Sequence, residues 1–308
     1  MVEIFLKTLP FFLLIGLGYW AGRVRFFSPE ATAYLTKFVF YFALSAMLFR
    51  FSSNLEFEAL LNWPFLFAYL SASLAVYLAV TVASLLRGRP VAEAAFEAQC
   101  GVIGNVGFLG IPMLAVLLGP EAVGPVMMVL AVDLIFFGSL IVILVTASRG
   151  RFSFAIFGTV FAGLAKNPMI VSISLGLLWS ALSLPVPGPM AEFLEILGAA
   201  ATPGALFAIG ASLASKSAER MTTAIELSVV KLVLHPALVA IAALAIFDVD
   251  AYAAGVMIAA ASLPVAGNVY ILAAHYGVAP QRVSATILIS TAASILTVSA
   301  IISLVAKL

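Results

Sequence analysis

Apolar stretches of membrane-spanning length, separated by loops whose charge alternates along the chain, constrain this sequence more than any other feature. A helical span needs about 20 mostly apolar residues. Ten stretches qualify, at roughly 4–22, 30–50, 63–86, 94–119, 122–147, 167–184, 190–214, 222–246, 252–276 and 281–306. Arg23, Arg25, Arg87, Arg89, Arg149, Arg151, Lys166, Lys216, Arg220 and Arg282 fall in the odd-numbered loops. The other side carries only Lys7, Arg50 and Lys307, with Lys37 and Lys231 inside spans. The even-numbered loops are acidic, with Glu56, Glu58, Glu121, Glu192, Glu195, Asp248 and Asp250. The positive-inside rule therefore predicts odd loops in the cytoplasm and both termini outside. Miscounting by one span would destroy the alternation, so the charges support the count as well as the orientation.

Composition agrees. The chain is 64% apolar and 9% charged, against about 25% charged for an ordinary soluble domain. Unpaired strands do not survive in hydrocarbon, and the stretches are too long for barrel strands, so the expected fold is an all-α membrane protein. Segment 153–165 is apolar and precedes Lys166-Asn167-Pro168, which suits a short interfacial helix leading into the sixth span. No small-residue cleavage site follows the first stretch, which reads as a retained span. A net charge of +1 gives no electrostatic case for nucleic acid, and the single Cys100 excludes an intrachain disulfide. The main expected partner is the lipid bilayer.

The two halves, 1–147 and 148–308, resemble each other. A shift of 158 places Pro10 on Pro168, Gly18 on Gly176, and Ala43 to Phe49 on Ala201 to Phe207. A shift of 163 places Gly104-Asn105-Val106 on Gly267-Asn268-Val269. A five-span unit is odd in number, so its second copy enters the membrane inverted. Inverted repeats with broken helices are a transporter plan, with the substrate near the midplane.

Two spans read as broken. The fourth carries Gly101, Gly104, Gly107, Gly110 and Pro112 around Asn105, and the ninth carries Pro264 and Gly267 beside Asn268. A break frees backbone groups that need a partner or a wet cavity. It also aims half-helix N–H groups and a positive dipole end at an anion. Gly104, Asn105, Gly107, Pro112, Pro264, Gly267 and Asn268 are therefore the candidate substrate site. The structural alternative is that these glycines allow close packing and the prolines only kink. Pro112 follows its Asn, whereas Pro264 precedes its own.

These residues, with Phe38 to Leu44, Lys166-Asn167-Pro168, Thr202 to Phe207 and Lys231 to Pro236, resemble the auxin efflux carrier family in its prokaryotic branch. That family includes plant PIN auxin exporters and bacterial carriers associated with malonate-like acids. The resemblance spans essentially the whole chain. It implies a ten-helix fold like that of the bile acid–sodium symporters. In that fold, spans 1, 2, 6 and 7 form a scaffold, and spans 3–5 and 8–10 form a transport domain with crossed helices. Ser45 stands where the family's second span usually has Pro, at the repeat equivalent of Pro203. The function implied is secondary transport of a small organic anion, a carboxylate, by alternating access. A homodimer through the scaffold is compatible with this plan.

Charges inside a bilayer are costly and mark function or pairing. Asp133 lies mid-span in the fifth stretch, and Lys231 and His235 share a face of the eighth. They are the candidates for binding a coupling proton or the substrate, with a structural ion pair between Asp133 and Lys231 as the alternative. Glu226 lies nearer the cytoplasmic end, and His275 reads as interfacial. No carboxylate lies between Gly101 and Leu118 or between Tyr252 and Arg282, which argues against a cation–proton antiporter. Sodium coupling through carbonyls, Asn and Ser stays open. Neither histidine sits in a His-Glu-x-x-His pattern, and Gly138-Ser139 alone is too weak for a serine nucleophile, so no enzyme, metal or cofactor is expected. A channel or sensor is the remaining alternative, and saturable counterflow separates it from a carrier.

Overall fold

The computed structural model describes residues 2–55, 62–150, 155–214 and 221–305. Glu56, Glu58, Arg151, Lys216, Arg220 and Lys307 lie outside them. The described chain is helical, as lipid requires of a span that must satisfy its own backbone. Among the described residues, seven helices are long and apolar enough to cross a membrane by length and composition. They belong to α1 (Val2–Arg23), α2 (Pro29–Ser52), α3 (Trp63–Leu86), α6 (Pro120–Ser148), α9 (Gly188–Leu213), α10 (Met221–Ile246) and α13 (Pro280–Val305). Shorter helices complete the fold: α4 (Val91–Val102), α5 (Val106–Leu118), α7 (Ala155–Ala165), α8 (Pro168–Ala181), α11 (Ala251–Ala261) and α12 (Gly267–Tyr276).

Local chemistry sets the boundaries. Ser28, Asn62 and Asp250 cap α2, α3 and α11 through side-chain oxygens that accept backbone N–H groups. The Lys166-Asn167-Pro168 motif is a helix start, because Asn167 Oδ1 accepts Met169 N–H at 3.0 Å and Pro168 opens α8. Gly277, at φ +65°, ends α12 in the left-handed conformation. In α2 a π-helical turn runs over Val39–Ala43, and Ser45 Oγ donates to Phe40 O at 3.2 Å. Where the resemblance implies a proline, α2 is instead distorted by a wide turn that Ser45 closes.

Glycines bring two helix pairs into backbone contact. A Cβ on Gly18 of α1 would stand 2.1 Å from Phe207 O of α9, and one on Gly210 would stand 1.9 Å from Ile15 O. Across the fold, a Cβ on Gly176 of α8 would stand 2.8 Å from Phe49 O of α2. No rotamer change relieves a Cβ against a carbonyl. Gly210→Ala must separate α1 from α9 and is expected to cost about 1–3 kcal/mol, the range of core overpacking. Thermal melting of the purified variant checks this. Gly16→Ala, with nothing within 4 Å of its Cβ, is the unaffected control.

Candidate functional site

Both expected breaks are present, and they pair with each other. The backbone leaves α4 after Val102 and re-enters a π-turn at Val106. It leaves α11 after Ala261 and re-enters α12 at Gly267. Between them Gly104 and Val265 form an antiparallel bridge, Asn105 N donates to Pro264 O at 2.8 Å, and Ala266 N donates to Ile103 O at 3.1 Å. Each break thus satisfies the other's freed backbone, which is how non-helical chain is tolerated among apolar residues. Ser290 of α13 holds the crossing from behind by accepting Val265 N at 3.2 Å.

The crossing brings the N-terminal ends of α5 and α12 together. Asn105 is 6% exposed, and its carbonyl closes the first turn by accepting from Leu109 N and Gly110 N. Gly267 and Asn268 are exposed, and a Cβ on Gly267 would meet nothing within 4 Å. Among the described residues, neither Asn side chain is hydrogen-bonded, so both amides are available to a ligand. Pro112 lies within the first turn of the regular part of α5, and Pro264 is buried in the bridge.

The two half-helices pack unequally. α5 lies against α1, α9 and Met169 of α8, whose Cε occupies the space beside Gly107. Phe108 of α5 stacks on Phe40 of α2 with ring centroids 6.2 Å apart. α12 instead packs on α4 and α13 and leaves Gly267, Asn268, Ile271 and His275 exposed. The C-terminal end of α12 lies beside Arg149, which donates to Tyr276 O and stacks over its ring. The start of α11 lies beside the end of α5, where Tyr252 Oη donates to Leu118 O at 3.0 Å. Near the crossing α5 is therefore the more enclosed half-helix and α12 the more exposed one. His275 lies on the basic side, edge-on to Tyr276.

Behind the crossing, the intramembrane charges join a buried network. Tyr69 Oη of α3 donates to Asp133 Oδ1 at 2.8 Å, while Asp133 Oδ2 is buried without a partner. One turn along α3, Ser73 Oγ lies 2.9 Å from His235 Nε2. His235 Nδ1 lies 3.3 Å from Lys231 Nζ, and Lys231 also donates to Ala261 O at the end of α11. The direct Asp133–Lys231 ion pair weighed from sequence is not among the described ion pairs. A tyrosine takes the carboxylate, and a helix-end carbonyl and a histidine take the ammonium.

A model of the membrane transport protein family, which comprises the auxin efflux carriers, matches residues 3–302. The chain belongs to this family. A relative from Rhizobium meliloti (strain 1021), named "Putative malonate transporter", is 33% identical over 311 residues, covering 99% of this chain and 97% of the relative. The auxin efflux carrier resemblance read from sequence thus holds across the chain, and the protein is a multi-pass membrane transporter.

In this family member, sequence reading missed several buried polar groups. Glu97 falls inside the fourth expected span but was not counted among the intramembrane charges. It is 3% exposed, accepts from Ser84 Oγ, and pairs with Arg282. Arg282, expected in a loop, lies within α13 at 4% exposure and also meets Glu93 at 3.0 Å. A charge inside an apolar stretch was the available signal for Glu97. Tyr69 and Ser73 had only a weak one, an i, i+4 polar pair in a helix with other hydroxyls. Glu226 proves peripheral, pairing with Arg87 while both stay about half exposed.

Proposed function

We infer that this transporter carries a small carboxylate by alternating access, with the substrate at the Asn105/Asn268 crossing. The observation that carries this reading is the paired break itself. Two half-helices, α5 and α12, bring their N-terminal ends and two unengaged Asn amides to one place, and α12 is accessible there. Such ends attract an anion through backbone N–H groups and the positive dipole end. Asn donates without adding charge. Gly267 keeps the backbone of α12 approachable, Gly104 and Gly107 let Lys231 and Met169 pack close to the chain behind it, and Pro112 and Pro264 fix the ends. Malonate is the first acid to test, because the relative's name points to it.

The ten-span inverted plan is supported by the packing. Counting α4 with α5, and α11 with α12, as one span each, and adding α8, brings the seven long helices to ten. Gly18 meets the Phe207 carbonyl and Gly176 meets the Phe49 carbonyl. Each of the two contacts maps onto the other at the 158-residue spacing of the sequence repeat. In this reading spans 1, 2, 6 and 7 are the scaffold, the exposed α12 and enclosed α5 correspond to an inward-facing state, and both termini lie outside the inner membrane. Exposure of the opposite side requires α5 to leave α1 and α9, and α12 to close on the repeat-equivalent spans 6 and 2.

The coupling role falls to Asp133. Its carboxylate is buried, has one unpartnered oxygen, and is faced by Tyr69, with Lys231 in electrostatic reach and His235 behind Tyr69. A neutral Asn at this position keeps the bond to Tyr69 but takes no proton. Asp133→Asn is expected to keep counterflow, which needs no net driving force, and to lose accumulation driven by a pH gradient. Parallel assays in proteoliposomes check this, and undiminished gradient-driven accumulation by the variant contradicts it.

The transport reading is tested by counterflow of labelled malonate, other small dicarboxylates and indole acids in proteoliposomes. Saturable exchange of at least one acid is expected. Flux that rises linearly with concentration and shows no trans-stimulation would favour a channel instead.

A further inference from the structure

Lys231 stands at the crossing, enclosed by the chain. Its side chain is completely buried, carried inward by the π-turn Val230–Leu234 of α10. Its ammonium donates to Ala261 O, the last residue of α11. The same atom lies 3.4 Å from where a Cβ of Gly104 would stand, beside the backbone just past the end of α4. The ammonium is therefore bonded to the C-terminal end of α11 and lies against the chain just past that of α4, the two half-helices whose partners, α5 and α12, begin at the crossing.

The charge at this point has a simple origin. A helix C-terminus carries roughly half a negative charge in its unpaired carbonyls. Two such ends converging among apolar residues amount to about one negative charge, and water is not there to disperse it. Without a counter-charge this arrangement is costly. The ammonium has only donors, so His235 Nδ1 accepts from it, and His235 Nε2–H is left to donate to Ser73 Oγ. The acceptors around Nζ are thus a helix-end carbonyl and a ring nitrogen, the type of donor set that a small free cation would also find. Asp133 is the carboxylate in electrostatic reach, and Tyr69 takes its bonded oxygen.

We propose that Lys231 is a tethered cation that holds the two half-helix C-termini of the crossing in place, so that the carrier requires no Na⁺ or K⁺ at this position. Lys231 is a positioning residue, since it is fully enclosed and its ammonium is bonded within the protein. Its removal leaves a cavity sized for a small alkylammonium ion, beside the helix ends and within electrostatic reach of Asp133. The proposal rests on the crossing being the substrate site, but its first readout is independent of any substrate.

The test compares wild type, Lys231→Ala and Lys231→Met in choline chloride, sodium chloride and methylammonium chloride at equal ionic strength. The measurements are thermal melting of the purified proteins and malonate counterflow in proteoliposomes. Wild type is expected to melt and exchange identically in all three salts. Lys231→Ala is expected to melt lower in choline and to lose at least about tenfold in exchange, the equivalent of one uncompensated charged hydrogen bond. Methylammonium should restore both saturably. Lys231→Met, which fills the cavity without charge, should be impaired in every salt.

Wild-type melting or exchange that rises specifically with Na⁺ overturns the proposal. So does Lys231→Met equal to wild type, or a Lys231→Ala protein that methylammonium rescues neither in melting nor in folding during purification. Rescue of melting without malonate exchange by any of the proteins supports the tethered cation while removing the malonate reading.

Discussion

Arg282→Leu is expected to lower the stability of the protein by about 3–5 kcal/mol, the cost of breaking a buried ion pair from one side. Arg282 and Glu97 are both almost fully enclosed, and Ser84 donates to the same carboxylate. Removing the guanidinium leaves Glu97 buried, with Arg89 Nε 3.9 Å away as its remaining cationic neighbour. The double variant Arg282→Leu/Glu97→Leu is expected to recover much of the loss, because a well-packed apolar pair often equals a buried ion pair. Melting of the purified single and double variants decides it. A double variant that melts below Arg282→Leu would mean that the pair is net stabilising here. The location matters for transport, because this pair joins α4, the first half of the broken fourth span, to α13, the helix that also holds the Val265 backbone through Ser290. It fixes the frame of the crossing at its basic-loop end.

The second large effect lies in the proposed site. Asn268→Ala removes an exposed amide that makes no hydrogen bond among the described residues, so folding should not change. A carboxylate that loses one donor and leaves its own charge less well satisfied is worth about 1.5–3 kcal/mol, or tenfold to a hundredfold in affinity. Asn105→Ala should weaken binding by a similar factor and also cost some stability, because Asn105 is enclosed at the end of the bridge. Substrate-dependent stabilisation against heating reads both affinities. An unchanged malonate response in both variants would move the site away from the crossing, toward Asp133 and Lys231.

Much of this arrangement was legible from sequence, because its causes are local. Gly and Pro at mid-membrane depth mark the breaks near Asn105 and Asn268, and Asn167-Pro168 marks a helix start. Loop charges report which ends share a side, and the contact of Arg149 with Tyr276 agrees with them. Tertiary facts were not legible. That the two breaks hydrogen-bond to each other depends on how α4 and α11 meet. That Tyr69 rather than Lys231 takes Asp133 depends on the facing of α3, whose even hydrophobicity conceals its buried side. Arg282 reads as a loop residue from its place beside Pro280, yet α13 begins there and turns it inward onto Glu97. The unequal packing of α5 and α12 depends on how distant helices meet, which the local composition of neither half-helix carries.

The central claim, a carboxylate carried at the crossing, is tested most directly by malonate counterflow with wild type and Asn268→Ala reconstituted side by side after their melting temperatures have been matched. Saturable exchange by wild type that falls at least tenfold in the variant is the predicted result. Equal exchange by two equally stable proteins would contradict it.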